Sequence, residues 1–329
     1  MRDQTKNEAQ KFNGTFCADC LLFVQDGLYV QSRDKRKTQT MRKVSAWISV
    51  PLVAGAFGAL LWLERRRPLR RSVEAKLTRD ARNLAVAGVA AVALQLAERP
   101  VTRRLTALVK RRKFGLLQQL PLPRPLEIAL AVVLLDYTLY VWHVLTHRVP
   151  WLWRFHLVHH ADLDLDASTA LRFHFGELIC SVAWRAAQVL IIGVSPQALA
   201  AWQGLLFVSI LFHHSNVRLP IEAERRLNLF IVTPRMHGIH HSLVREERDA
   251  NWSSGLTVWD RLHGTLKLNV PQDEITIGVP DYREAKKLRL IEILKLPFGA
   301  VESSAWLLPD EARPPIRAPR PASVDHLLA

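Results

Sequence analysis

The chain has 329 residues, 49% of them apolar, and a formal net charge of +15 from 45 Lys and Arg against 30 Asp and Glu. Its Arg and Lys runs flank apolar blocks and do not line a separate basic domain. Nucleic acid is therefore excluded as the expected partner in favour of lipid headgroups at a membrane surface.

In chain order, residues 1–40 are polar and end near Asp34-Lys35-Arg36-Lys37. They read as a disordered leader or an over-extended start, because Met41-Arg42-Lys43 ahead of an apolar run looks like a natural beginning. Cys17 and Cys20 form a lone CxxC, too short for a four-ligand zinc site and read as incidental. Residues 46–63 carry no charge and are bordered by Trp47 and Trp62. As a helix they span about 27 Å, enough to cross a hydrocarbon core. The basic run ERRRPLRR, 64–71, then stops the segment at the headgroups.

A second apolar block covers 83–97 and a third runs from Ile128 to about Leu145. The block 178–213 is too long for one span and contains Pro196, which predicts two short helices forming a hairpin. Arg185 inside it is expensive in lipid and should face the bundle interior. Residues 284–300 are expected as an amphipathic surface helix with Leu288, Ile291 and Leu294 on one side. The segment 309–329 is Pro/Arg-rich and expected to be disordered. These readings divide the chain into 1–40, a membrane-embedded domain over 41–270, a peripheral segment over 271–308, and the tail. The fold class is all-α: a multi-pass transmembrane bundle of four to five apolar segments with a histidine-rich cap on one membrane face.

Eight of the 13 histidines fall in three short windows. These are His143 and His147 (HxxxH), His156, His159 and His160 (HxxHH), and His237, His240 and His241 (HxxHH). At about 100° per residue, offsets of 0, 3 and 4 fall within one 100° arc, so each window is expected to aim its imidazoles at one point. One HxxHH arises by chance roughly 0.02 times in such a chain, and two are far rarer. Imidazole suits iron, zinc, copper or nickel. Eight exceed one ion's needs and suit two neighbouring ions. His174 precedes the hairpin and His214 closes it, which makes both further candidates. His213 points elsewhere on its helix, and His263 and His326 look incidental. Asp136, Asp162, Asp164 and Asp166 are weighed as partners orienting imidazole N–H groups, against a solvated loop after the second window.

The stretch DYTLYVWHVLTHRVPWLWRFHLVHHAD (136–162) resembles the first two histidine boxes of the fatty acid hydroxylase / sterol desaturase superfamily. RFHFGE (172–177), LFHHSN (211–216), TPRMHGIHHS (233–242) and WDRLHGT (259–265) are similar to the boxes that follow, so the resemblance covers about 46–270. Phe175 stands in place of the usual proline, Trp252 in place of a common tyrosine, and His263 where phenylalanine is frequent. None of these removes a ligand.

The resemblance implies a membrane oxygenase with two iron ions, zinc being possible after purification, and O₂ as co-substrate. Its metal ligands would be His143, His147, His156, His159, His160, His237, His240 and His241, with His174 and His214 added. It implies a lipid substrate, histidine boxes on the cytosolic face, and electrons from a ferredoxin- or cytochrome-type donor with its reductase, since no nicotinamide or flavin fingerprint is evident. Hydroxylation is favoured over desaturation. The alternatives are a membrane metal-ion transporter, whose ligands belong at mid-membrane, and a non-catalytic metal-binding relative. A zinc hydrolase is disfavoured because no HExxH is present.

Overall fold

The apolar blocks fold as helices, and prolines and glycines decide where each one begins and ends. The computed structural model describes residues 29–31, 41–43 and 46–299, with side chains from residue 55 onward. Cys17, Cys20, most of the polar leader and the Pro/Arg-rich tail lie outside the described residues. Strands β1 (Tyr29–Gln31) and β2 (Met41–Lys43) pair antiparallel as a short ribbon. The rest of the described architecture is helical.

Helix α1 (Ala46–Arg66) ends in the basic run. Helix α2 (Lys76–Ala93) continues through a π-helical turn, Leu94–Glu98, into α3 (Arg99–Arg112). Helices α4 (Arg124–Arg148) and α5 (Pro150–His160) each carry a proline in the first turn, where its missing N–H costs nothing. Helices α6 (Phe175–Ile192) and α7 (Pro196–His214) form the expected hairpin. A cap of short helices follows: α8 (Ile221–Leu227), α9 (Pro234–His240), α10 (Arg245–Arg248), α11 (Val258–Leu262) and α12 (Leu290–Lys295).

Among the described residues, three helical stretches are long and apolar enough to cross a membrane: 76–119, 124–148 and 175–192. Only 22%, 28% and 33% of their most apolar windows are buried inside the protein. A core helix of a soluble protein buries its apolar stripe. Here most of that surface faces outward, with Val92, Leu96, Ile179 and Ile191 exposed, as contact with lipid tails requires.

The hairpin turns as its sequence dictates. Gly193 caps α6 in the left-handed region at φ 80°, Pro196 takes the first helical position of α7, and the Ser195 hydroxyl accepts from the Ala198 N–H at 3.3 Å. The loop after α3 crosses here through Gly115, at φ 91°. A Cβ on Gly115 would lie 2.4 Å from the Gly193 Cα, so both conformation and closeness demand glycine. Residues 174 and 214 thereby return to the opposite end of the bundle.

Helix α4 packs against α5 and α7, and α6 packs against α2 and α3. Val109, Leu135, Val189, Leu199 and Trp202 form the core of the bundle, while Val86, Trp153, Leu157, Tyr282 and Leu288 form that of the cap. The C-terminal segment differs from the expected single helix. It runs as a 3₁₀ turn (Ala285–Leu288), α12, and a second 3₁₀ turn (Leu296–Phe298). Extended backbone at Arg289 resets the helical phase, so Leu288 and Ile293 are buried while Ile291 is 54% exposed.

Candidate metal centre

The last two turns of α4 present His143 and His147 on one face. Helix α5 contributes His156, His159 and His160, the final turn of α7 His214, and α9 with its C-cap His237, His240 and His241. All nine are buried. They form two adjoining groups, one of His143, His147, His156, His160 and His240, the other of His159, His214, His237 and His241. Within each group the ligand atoms lie within 4.8 Å of one another.

His143 and His147 converge as expected, but the expectation that each HxxHH window aims at one point is corrected. Residues i and i+4 are about 40° apart on a helix, whereas i+3 lies about 60° to the other side of i. Each HxxHH therefore gives its outer pair to one group and its middle histidine to the other. His156 and His160 join the first group and His159 the second; His237 and His241 join the second and His240 the first. The two windows interlock the two groups.

Hydrogen bonds fix several rings. The Nδ1 of His143 donates to the Trp252 carbonyl at 2.7 Å, that of His240 to the Ala250 carbonyl at 2.9 Å, and that of His214 to the Ile210 carbonyl at 2.7 Å. His156 Nδ1 donates to Glu177 Oε1 at 3.0 Å. Carbonyl and carboxylate oxygens only accept, so each Nδ1 holds the proton and each Nε2 turns a lone pair toward the cluster. The Nε2 atoms of His156 and His240, and both nitrogens of His147 and His160, are buried with no hydrogen-bond partner. An unsatisfied buried polar group costs about 1–3 kcal/mol. In the second group, Nε2 atoms meet in pairs: His159 and His214 at 3.1 Å, His214 and His237 at 3.0 Å, His237 and His241 at 3.1 Å. Converging lone pairs and orphaned nitrogens are the donor set a cation satisfies, so the residues fit metal.

Burial, and then the neighbouring imidazoles, hold His159, His160, His237, His240 and His241 well below the ordinary 6.5. The folded protein thus refuses protons that the unfolded chain takes up below about pH 6.5. Stability and metal retention should be flat from pH 9 to 7 and fall as the pH drops below that value. Melting curves with elemental analysis at each pH check this; a protein equally stable and loaded at pH 5 would contradict it.

His174 stands outside both groups. It caps α6, its Nδ1 accepting from the Gly176 N–H at 3.0 Å and its Nε2 donating to the Leu294 carbonyl at 3.2 Å. His213 packs 4.2 Å from the His237 ring without joining either group. The aspartates also depart from expectation. Asp136 accepts from the Leu256 N–H at 3.0 Å and from Trp259 Nε1 at 2.7 Å. Asp162, Asp164 and Asp166 are buried, and they hold α2 and the turn before it through Arg79, Asn83, Lys76 and the Val73 and Glu74 amides. The three are not solvated, and these hydrogen bonds go to α2 and the turn before it and not to imidazole. For Asp162, burial alone would raise the pKa, but Arg79 and Arg172 bring it below the ordinary carboxylate value.

The residues that brace the rings were missed in the sequence. Glu177 orients His156, and Arg172 ties the Val158 carbonyl to Asn83. Asn251, in the left-handed region at φ 57°, bridges the Met236 and Lys267 carbonyls. Asp260 accepts from the Trp252 and Ser253 amides. Arg172 and Glu177 sit within RFHFGE, where that stretch could have pointed to them.

A cavity of about 230 Å³ opens against the cluster. His143, His156, His159 and His214 line it together with the apolar side chains of Ala90, Leu139, Leu178 and Leu206.

Residues 128–265, which include all nine clustered histidines, match the family model for fatty acid hydroxylase. Ornithine lipid hydroxylase OlsE of Rhizobium tropici is 33% identical over 48% of this chain and 46% of its own length. Human cholesterol 25-hydroxylase is 29% identical over 43% of this chain and 51% of its own. Human alkylglycerol monooxygenase is 30% identical over 40% of this chain and 28% of its own. The matched region thus spans about half or less of these relatives. No solved structure gives a significant match. With its boxed histidines inside the matched stretch, residues 128–265 of this chain are similar to the fatty acid hydroxylase family.

Proposed function

We propose that this chain is a multi-pass membrane enzyme that hydroxylates a lipid C–H bond with O₂. The observation that carries the reading is the division of nine buried imidazoles into groups of five and four, beside an apolar cavity. The ligands are His143, His147, His156, His160 and His240 for one ion and His159, His214, His237 and His241 for the other. Two iron ions held there would supply activation of O₂ toward an unactivated C–H bond, with electrons from a separate donor protein.

The chain's own residues hold and shield. The Trp252, Ala250 and Ile210 carbonyls and Glu177 keep the ring nitrogens of His143, His240, His214 and His156 turned inward. Phe173 lies flat on the His159 ring at 4.5 Å and helps exclude water. Leu139, Leu178 and Leu206 line the path on which a hydrocarbon can lie with one carbon against the histidines. Lipid enters sideways from the bilayer, α1 and α7 adding to the membrane segments. The histidine face is cytosolic, where reductants are available, and the chain's net charge of +15 suits an acidic donor.

Hydroxylation is favoured over desaturation because the relatives above are named hydroxylases or monooxygenases. Transport is disfavoured by placement: the ligands come from helix ends and the cap, not from mid-span. The test is membrane expression with lipid mass spectrometry under ¹⁸O₂. The expected product carries one ¹⁸O and forms only with O₂ and a reductase system. Equal oxidation under argon refutes the reading, and a product with two fewer hydrogens and no ¹⁸O replaces hydroxylation with desaturation.

A further inference from the structure

The lining of the cavity includes polar side chains midway along α6, away from the histidines at its start. Arg185 and Glu98 line it together with Gln95, Gln203, Ser181 and Trp202. Arg185 Nε lies 3.6 Å from Glu98 Oε1, Nη1 donates to Gln188 Oε1 at 2.5 Å, and the guanidinium lies 4.2 Å above the Trp202 ring. Both charged residues are buried, and Arg185 Nε has no hydrogen-bond partner.

An ion pair at this depth is expensive and marks a functional site. As a mere bolt between helices it would do no better than packed apolar side chains. The backbone is also adapted here. Glu98 closes the π-helical turn Leu94–Glu98, a feature that re-aims side chains and recurs at functional sites.

We infer that Glu98 and Arg185 form a subsite for the hydroxyl group of an amphipathic lipid, and that this subsite fixes which carbon reaches the histidines. The inference rests on the lipid-oxidation reading and names the chemistry of its substrate. The pair is net neutral. A hydroxyl donates to the Glu98 carboxylate while accepting from the Arg185 guanidinium. A carboxylate headgroup would meet Glu98 as a like charge, and an ether has no proton for it. A hydrocarbon end would leave both groups unsatisfied, which is how polar sites reject analogues. Arg185 lies eight positions after Glu177 on α6, and Trp202 twelve positions before His214 on α7. At 1.5 Å per residue the hydroxyl sits about 12–18 Å from the histidine centre.

The test uses the purified full chain in detergent under argon, so that binding is read without turnover. The probes are 1-hexadecanol, its methyl ether, hexadecane and hexadecanoic acid, followed by thermal stabilisation and tryptophan fluorescence. The alcohol should bind at least tenfold more tightly than the other three. E98Q/R185Q, which leaves no unpaired charge, should fold and reduce that preference below twofold. Equal binding of alcohol and ether by the parent overturns the proposal, as does tighter binding of the acid. A preference that persists in the double variant also overturns it. If E98Q/R185Q does not fold, R185K and E98D are read for the same ratio, and an unchanged ratio in both overturns it. Selective alcohol binding by a protein that never oxidises lipid would instead refute the oxygenase reading and leave the subsite standing.

Discussion

Replacing His240 by alanine should abolish formation of oxidised lipid while the protein still inserts in the membrane and melts cooperatively. His240 is the imidazole that α9 lends to the first group, whose other members come from α4 and α5. On the proposed reading its loss removes a ligand and the cross-link between cap and bundle. Loss of a residue that only supports a ligand typically costs about 10–100-fold, and His240→Ala should exceed that range. His159→Ala should behave alike through the second group. Glu177→Gln, which weakens the hold on His156 Nδ1, should fall within the supporting range. His174→Ala should keep the chemistry and lower stability by about 1 kcal/mol, the usual cost of a lost helix cap. Turnover, bound metal and melting temperature measured across these four variants check the ordering. A His174 variant as inactive and metal-depleted as His240→Ala would move His174 into the centre.

Replacing Arg79 by methionine should destabilise the protein more than any of those changes. Arg79 Nη1 donates to Asp162 Oδ2 at 2.9 Å and to Thr169 Oγ1 at 3.2 Å, and Nη2 pairs with Asp166. Methionine fills much of the same space and leaves two buried carboxylates short of a counter-charge. Breaking one partner from a buried pair costs about 3–5 kcal/mol. The loop 162–169 directly follows His160 on α5, so its release should also loosen the second histidine window. The expected result is a large drop in melting temperature together with lost metal. R79M/D162N should recover part of the stability, because the most deeply buried charge is removed with its partner. A melting temperature within about 2 °C of the parent for Arg79→Met would contradict this role.

The parts of this protein that were legible in its sequence are those governed by local rules. Pro196 announced the hairpin break, the uncharged runs announced apolar helices, and the HxxHH spacing announced clustered imidazoles. How the clusters divide was not legible, because it depends on helices far apart in sequence. His240 joins His143 and His147 across about a hundred residues, and only packing of α9 on the bundle brings them together. The aspartates after His160 looked like a solvated loop because Arg79, some 80 residues earlier, is invisible to any local window. His174 lies outside both groups for a related reason. A histidine before a helix can be a ligand or a cap, and the nearby Gly176 amide decides for the cap. The C-terminal helix failed locally, since extended backbone at Arg289 shifted the phase on which the apolar pattern was read.

The measurement that tests the central claim most directly is the metal content of the purified, folded chain grown with ample iron. Groups of five and four imidazoles predict about two metal ions per chain, mainly iron, with zinc in its place if iron is lost during purification. His240→Ala and His159→Ala should each lower that number, because each removes an imidazole from a different group. One ion or none in a correctly folded parent would contradict the two-ion centre, and so would a content unchanged in both variants.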